Sequence, residues 1–408
     1  MIKKTQNLPL SNIRIADFGW MIAGPLTTRV FANYGAEVIR IESSSRIDEI
    51  RVVGARPFVN ESPNQAGVFN DINTSKLSMT LDLNTPKGLD LAKQVIEISD
   101  IVSNNFRGDR MAKWGLDYAN LKKIKPDIIL LSMPMTGSDG PHQEYGGNGI
   151  SIIAGAGISG ITGFPERPPV GTGSLYPDFS GNPSHGALAL LAALRHKNKT
   201  GKGQFIDLAQ TESTAALLGT SMLEYTVNNK IPVRPGNTSK NACPHNVYKC
   251  IGTDRWCAIA VTTNNQWRNL KHALANPTWM RNTQYDSLEG RLKNESTIDK
   301  KLSDWTISKN DYVVMEMLQQ KGVPAGVVQT TKDLLENDKG YMKNHVIKLD
   351  HPEMTTMTLH GETIKISDTE NTFTRAPLLG EHTDYVLGDL LGLSQNSIND
   401  DYVTGILK

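Results

Sequence analysis

The residue best placed to do chemistry is Asp178, in the run Leu175-Tyr176-Pro177-Asp178-Phe179-Ser180-Gly181. These turn-forming residues lead into the apolar stretch 187–195, which reads as a helix of the kind that sits in a core. A carboxylate just ahead of a helix start is stabilised as the anion and is expected to stand exposed at the carboxyl edge of a sheet. Such a group can attack a carbonyl as a covalent nucleophile. It can equally do no more than cap the helix. Residue types alone leave both roles open.

The other reactive side chains carry less. His185, one turn into that helix, reads as packed; His245, in a stretch rich in Asn, Pro and Gly, is a better candidate for contacting a ligand, although loop histidines mostly face solvent, and His382, within Gly380-Glu381-His382-Thr383, shares that weakness. Cys243, Cys250 and Cys257 are odd in number and spaced seven apart. That spacing fits neither a disulfide framework nor a zinc site, so reduced and partly buried thiols are expected. GxxxxGK[ST], HExxH and GxSxG are all missing from the sequence, and no metal is expected. Gly19 and Gly24 mark a tight turn without GxGxxG, which leaves a nicotinamide cofactor unsupported. The turn could still offer backbone N–H groups to a phosphate or carboxylate, or be structural only.

The elements that must hold these residues follow a regular pattern. Residues 13–18 read as a buried strand, Ala23-Gly24-Pro25 as a helix start, Tyr34-Gly35 as its end and 38–42 as the next strand. Strand, turn, helix and strand in ~30 residues is a βαβ unit, so a parallel sheet is expected. Residues 78–83, 101–102, 127–132 and 204–208 read as further strands, with Thr85-Pro86 opening a helix between the first two. Residues 256–261 read as a strand of a smaller domain, and Leu387 to Leu391 as part of a final helix. The expected domains are 1–224, a small domain 225–325, and 326–408 returning to the first.

Composition agrees with a soluble globular protein. The 408 residues are 38% hydrophobic and 21% charged, and 43 Lys and Arg nearly balance 42 Asp and Glu. No bulk field favours nucleic acid or a membrane surface. No apolar run approaches the roughly 20 residues of a membrane span. The polar first ten residues carry Lys3 and Lys4 with no apolar stretch behind them, which does not read as a secretion signal. A cytoplasmic protein is expected.

Seven segments, in order, resemble the family III CoA-transferases. They are IRIADFGWMIAGPLTTRVFANYGAEVIRIE at 13–42, LSMTLDLNTPKG at 77–88, SNNF at 103–106, YPDFSG at 176–181, HKNKTGKGQFIDLAQTES at 196–213, GVPAG at 322–326 and APLLGEHT at 376–383. The resemblance implies that Asp178 attacks an acyl-CoA thioester and carries a covalent intermediate while CoA passes to a second, small carboxylic acid. Coenzyme A and acyl-CoA are then substrates, with no permanently bound cofactor. By the same resemblance CoA contacts Ile22, Ala23, Leu81, Asn84, Asn105, Phe106 and Arg107, and Lys113 meets the nucleotide phosphates. Ser43 stands where the family has a basic residue, and Gly149 where many members have an acidic partner of the nucleophile. The implied fold is α/β: a Rossmann-like large domain built from both chain ends, plus a smaller α+β domain, in an interlocked homodimer. An α-methylacyl-CoA racemase on the same fold is the alternative enzyme, but Asn148 stands where it needs a histidine. A non-catalytic CoA-binding protein is the third reading.

Overall fold

Strands buried along both faces must be covered on both, and five strands of the main sheet are of that kind. The computed structural model describes residues 8–53, 62–173, 175–336, 345–369 and 373–408. Its main sheet has six parallel strands: β1 (Arg14–Asp17), β2 (Glu37–Glu42), β3 (Leu77–Thr80), β4 (Ile101–Asn104), β5 (Ile129–Ser132) and β6 (Phe205–Asp207). They lie in the order β3-β2-β1-β4-β5-β6. Ile15 of β1 stands opposite Val38 on one side and Ile101 on the other. Because successive side chains alternate faces, the central strands feed two cores. Ile39, Val102 and Leu130 enter one with Leu91 and Val95; Val38, Ile101 and Leu131 enter the other with Phe31 and Leu190.

The crossover helices start where local chemistry dictates. Pro86 opens the helix Pro86–Glu97, and the Thr85 hydroxyl accepts from the Gly88 N–H at 3.0 Å. The long helix Asn182–Thr200 begins with Pro183 in its first turn and packs Leu190 and Leu194 inward.

The described residues form two compact units, one drawn from 1–159, 171–231 and 344–408, the other from 160–170 and 232–343. These limits differ from the expected 225 and 325. Segment 160–170 joins the second unit through hydrogen bonds that local pattern does not reveal: Gly236 N–H to Gly163 carbonyl at 2.8 Å, and Arg234 to the Phe164 carbonyl at 3.3 Å. The second unit holds a three-stranded antiparallel sheet, β7 (His245–Lys249), β8 (Trp256–Ala260) and β9 (Ala325–Val327). Its core gathers Trp267, Tyr248, Leu318 and all three cysteines, which are free and buried. Burial pushes the Cys243 and Cys257 thiols up to about 12, so neither is a thiolate at neutral pH.

The chain then returns to the first unit, with the antiparallel pair β10 (Val346–Leu349) and β11 (Met357–His360). The end of the chain closes the open edge of β3. His382 N–H donates to the Ser78 carbonyl at 2.8 Å, Thr80 N–H to the Thr383 hydroxyl at 3.1 Å, and Asp82 N–H to the Ile406 carbonyl at 2.8 Å. An edge strand covered in this way is no longer free to pair with another chain. The expectation for Leu387 to Leu391 is corrected. Tyr385–Leu390 is a separate π-helical turn, and the final helix is Gln395–Val403, capped by the Ser394 hydroxyl.

Candidate active site

Loops following β1 to β5 converge at the carboxyl edge of the sheet, beside the point where β1 is flanked by β2 on one side and β4 on the other. Ligands of open parallel sheets bind at such a switch point, because the two loops there diverge and leave a crevice. The β1 loop is held by buried polar groups. Asp17 accepts from Gly19 N–H at 3.0 Å, the Thr28 hydroxyl at 2.7 Å and the Lys76 ammonium at 2.9 Å. Burial lowers Lys76 to about 8, although Asp17 pulls the other way. Both Asp48 carboxylate oxygens lie 3.1 Å from the N–H of Met21, a non-glycine residue at φ 58°. Asp48 is itself buried and ion-paired with Arg40. A left-handed conformation at methionine is costly, and this carboxylate stabilises it.

Asp178 lies in the π-helical turn Pro177–Gly181, which runs directly into the helix Asn182–Thr200. Two expectations are corrected here. The carboxylate is 6% exposed rather than open to solvent, and it makes no cap to its own helix. Its Oδ2 accepts instead from the N–H of Gly149, 29 residues away, at 2.8 Å. Burial raises Asp178 to about 6, and the Gly149 hydrogen bond opposes the rise. The chain packs it where the anion is disfavoured, not where a helix end favours it. At neutral pH the ionised form still leads by about tenfold.

Around Asp178 lies a cavity of about 150 Å³, lined among others by Met21, Ile22, Ala23, Asn105, Phe106, Arg107, Asn148 and Gln210. Asp178 is the only carboxylate among its described lining residues, and no histidine is among them. Asn148, at the position of interest for a racemase, spends its Oδ1 on the Ile150 N–H at 3.2 Å. It cannot shuttle a proton. Gln210 is anchored by Met133 carbonyl at 2.7 Å and by Asn182 at 3.0 Å.

Beside it is a second cavity of about 190 Å³, lined by Leu81, Asn84, Phe106 and Arg107 together with Trp20, Ser43, Arg46, Arg110 and Trp114. Trp20, Phe106 and Arg107 belong to both cavities. The aromatic rings meet edge to face, Trp20 with Phe106 at 5.9 Å and Phe106 with Trp114 at 5.7 Å. Arg46 lies 5.4 Å over Trp20 and Arg110 5.6 Å over Trp114. A cavity that pairs ring faces with guanidinium groups suits a nucleotide.

The residues expected from sequence are therefore gathered by the two cavities, with one exception. Lys113 lines neither; it is exposed and ion-paired with Asp109 one turn earlier on its own helix. Arg46 and Arg110 supply positive charge to the second cavity and were missed. Arg46 follows β2 three residues beyond Ser43, so a basic residue close to that position was the available signal. Leu81 is fully buried, and Asn105 turns its amide onto the Trp20 backbone, so neither offers a free polar group. His185 is exposed, not packed; its ring meets the Gly181 carbonyl at 2.8 Å and the Ser213 hydroxyl at 3.2 Å. His245 is half-buried in the second unit against the Asn237 carbonyl at 2.6 Å. His382 is half-buried too, and its Nδ1 lies 3.3 Å from the Ser78 N–H.

A parallel switch-point sheet with a buried carboxylate and a neighbouring arginine-lined cavity is the arrangement of an α/β ligand-binding site. The chain belongs to CoA-transferase family III, whose model matches residues 10–383. It is a transferase acting on CoA thioesters. It is 28% identical to a succinyl-CoA–D-citramalate CoA-transferase of Chloroflexus aurantiacus, over 96% of each chain. It is 30% identical to a formyl-CoA:oxalate CoA-transferase of Afipia carboxidovorans, over 98% of this chain and 97% of that one. The crystal structure of a CAIB/BAIF family protein from Brucella suis superposes with a TM-score of 0.86 at 28% identity, covering 94% of this chain and all of that one.

Proposed function

We propose that this chain moves CoA from an acyl-CoA to a small free carboxylic acid through covalent intermediates on Asp178. The observation that carries this is that the one carboxylate among the described lining residues of the cavity has one oxygen tied to Gly149 and the other accepting no hydrogen bond among the described residues. The free oxygen, Oδ1, attacks the thioester carbonyl, expels CoA thiolate and leaves a mixed anhydride. Thiolate adds to the Asp178 carbonyl carbon and expels the donor acid, giving an aspartyl thioester. The acceptor carboxylate adds to the same carbon and expels thiolate. Thiolate then attacks the new acyl carbon, releasing product acyl-CoA and the Asp178 carboxylate. Each exchange conserves an activated acyl bond, so the barrier lies in positioning and in excluding water. Burial of Asp178 supports that exclusion.

In this reading the nucleotide of CoA occupies the cavity of Arg46, Arg107 and Arg110, and its thioester reaches Asp178 past Ile22, Ala23 and Phe106. Relatives named for succinyl, citramalate, formyl and oxalate groups support small acids as donors and acceptors. The working unit is an interlocked homodimer. Exposed Leu188, Leu191, Leu217, Met222, Leu223 and Tyr225 support it, since monomers seldom leave so many large apolar side chains open. No helix among the described residues is long and apolar enough to cross a membrane. Three unpaired thiols support a reducing, cytoplasmic setting.

The test is a single turnover with acceptor acid carrying heavy oxygen at both carboxyl positions. The steps above return Asp178 with one of its two oxygens taken from the acceptor. The tryptic peptide containing Asp178 should therefore gain one heavy oxygen. Transfer that leaves this peptide unlabelled would rule out the aspartyl route.

A further inference from the structure

We propose that the Gly149 N–H is the oxyanion donor for both tetrahedral intermediates that form at the Asp178 carbonyl carbon. This rests on Asp178 being the nucleophile.

The geometry is specific to one oxygen. Gly149 N–H lies 2.8 Å from Oδ2, and both groups are buried. A Cβ at position 149 would lie 2.5 Å from Oδ2 and 3.1 Å from the Cα of Leu175. A side chain there would have to push the Asp178 carboxylate off this N–H.

The reaction converts this contact into catalysis. Oδ1 forms the bond to the donor acyl group, so Oδ2 becomes the carbonyl oxygen of the anhydride. When thiolate adds to the Asp178 carbonyl carbon, the C=O electron pair moves onto Oδ2. The intermediate collapses by breaking the bond to Oδ1, which leaves with the donor acid. When the acceptor carboxylate adds to the thioester carbon, charge returns to Oδ2 and thiolate departs. Two of the four addition steps thus place a full negative charge on the atom that already faces the Gly149 N–H. A backbone amide held rigidly by its neighbours needs no reorganisation at that moment. The same hydrogen bond favours the carboxylate before reaction, opposing the rise caused by burial.

The experiment replaces Gly149 in the full chain by glycolate, through nonsense suppression, exchanging N–H for oxygen without adding a side chain. Gly149→Ala is the companion. The glycolate protein should fold and bind CoA within about threefold of wild type, while kcat falls by about 10²–10³. The acid limb of its pH–rate profile should move upward, because a bond that stabilised the anion is gone. Gly149→Ala should lose at least as much activity. Transfer within about threefold of wild type would overturn the proposal. So would a kcat loss with an unmoved acid limb, or loss of the fold in the glycolate protein, either of which makes the contact a structural tie. The heavy-oxygen experiment separates the two levels. An unlabelled Asp178 in the wild type sinks the covalent route itself; a labelled one with an unimpaired glycolate protein sinks only the role of Gly149.

Discussion

Asn105 grips Trp20 by both backbone polar groups: its Oδ1 accepts from the Trp20 N–H and its Nδ2 donates to the Trp20 carbonyl, each at 2.8 Å. One side chain thereby ties the loop after β4 to the loop after β1, across the switch point of the sheet. The approach is close enough that a Cβ on Gly24 would stand 3.1 Å from the Asn105 amide carbon. Asn105→Ala should release the wall shared by the two cavities. The expected result is a rise in KM for acyl-CoA of about tenfold, with kcat changed less, and a stability loss of about 1–3 kcal/mol for two lost hydrogen bonds. Steady-state kinetics with denaturant unfolding checks both. An unchanged KM would mean that the loops keep their positions without the clamp.

Asp178→Asn should abolish transfer while making the protein more stable. Burial lifts the Asp178 pKa to about 6, so the folded state binds a proton that the unfolded chain releases nearer 4. The penalty on the native state is absent below about pH 4, grows between about 4 and 6, and is constant above. At pH 7.5 it amounts to up to about 3 kcal/mol, which the neutral amide removes. Unfolding curves of the two proteins should separate at pH 7.5 and converge below about pH 4. An asparagine variant less stable than wild type at neutral pH would contradict the burial cost.

The pH–rate profile should show the same group. Only the carboxylate attacks a thioester, so kcat/KM for acyl-CoA should be flat above pH 7 and fall about tenfold per unit below about 6. Protonation removes the nucleophile; the sign follows directly. A profile that stays flat down to pH 5 would place the nucleophile's pKa near its ordinary value and remove the argument from burial.

Arg46 and Arg110 line the second cavity, whereas Lys113 is bound to Asp109 outside it. Arg46→Ala and Arg110→Ala should each raise KM for acyl-CoA several-fold to about tenfold with little loss of kcat, since phosphate contacts persist from ground state to transition state. Lys113→Ala should change KM by less than about twofold. The arginine effects should weaken as salt is raised. A larger defect from Lys113 than from either arginine would return the phosphate to the position expected from sequence.

Sequence alone determined the parts that depend on a residue's immediate neighbours. The apolar runs at β1 and β5 announce buried strands of a parallel sheet, because alternate side chains must each reach a core. Turn residues ahead of a proline-started helix mark the place of Asp178, and the run YPDFSG identifies it. What remained open there, nucleophile or cap, is a question about surroundings. The structure removes the cap: the carboxylate accepts from Gly149 on another helix, which reaches Asp178 only once the chain has folded. The same holds for the second cavity. Arg46 follows β2 and Arg110 follows β4; they meet only because β1 lies between those strands in the sheet. Lys113 looked equally suited, but a helical turn places it beside Asp109. Hydrophobic period records which face of an element is buried. It does not record which elements become neighbours, and burial, hydrogen-bond partners and hence pKa depend on those neighbours.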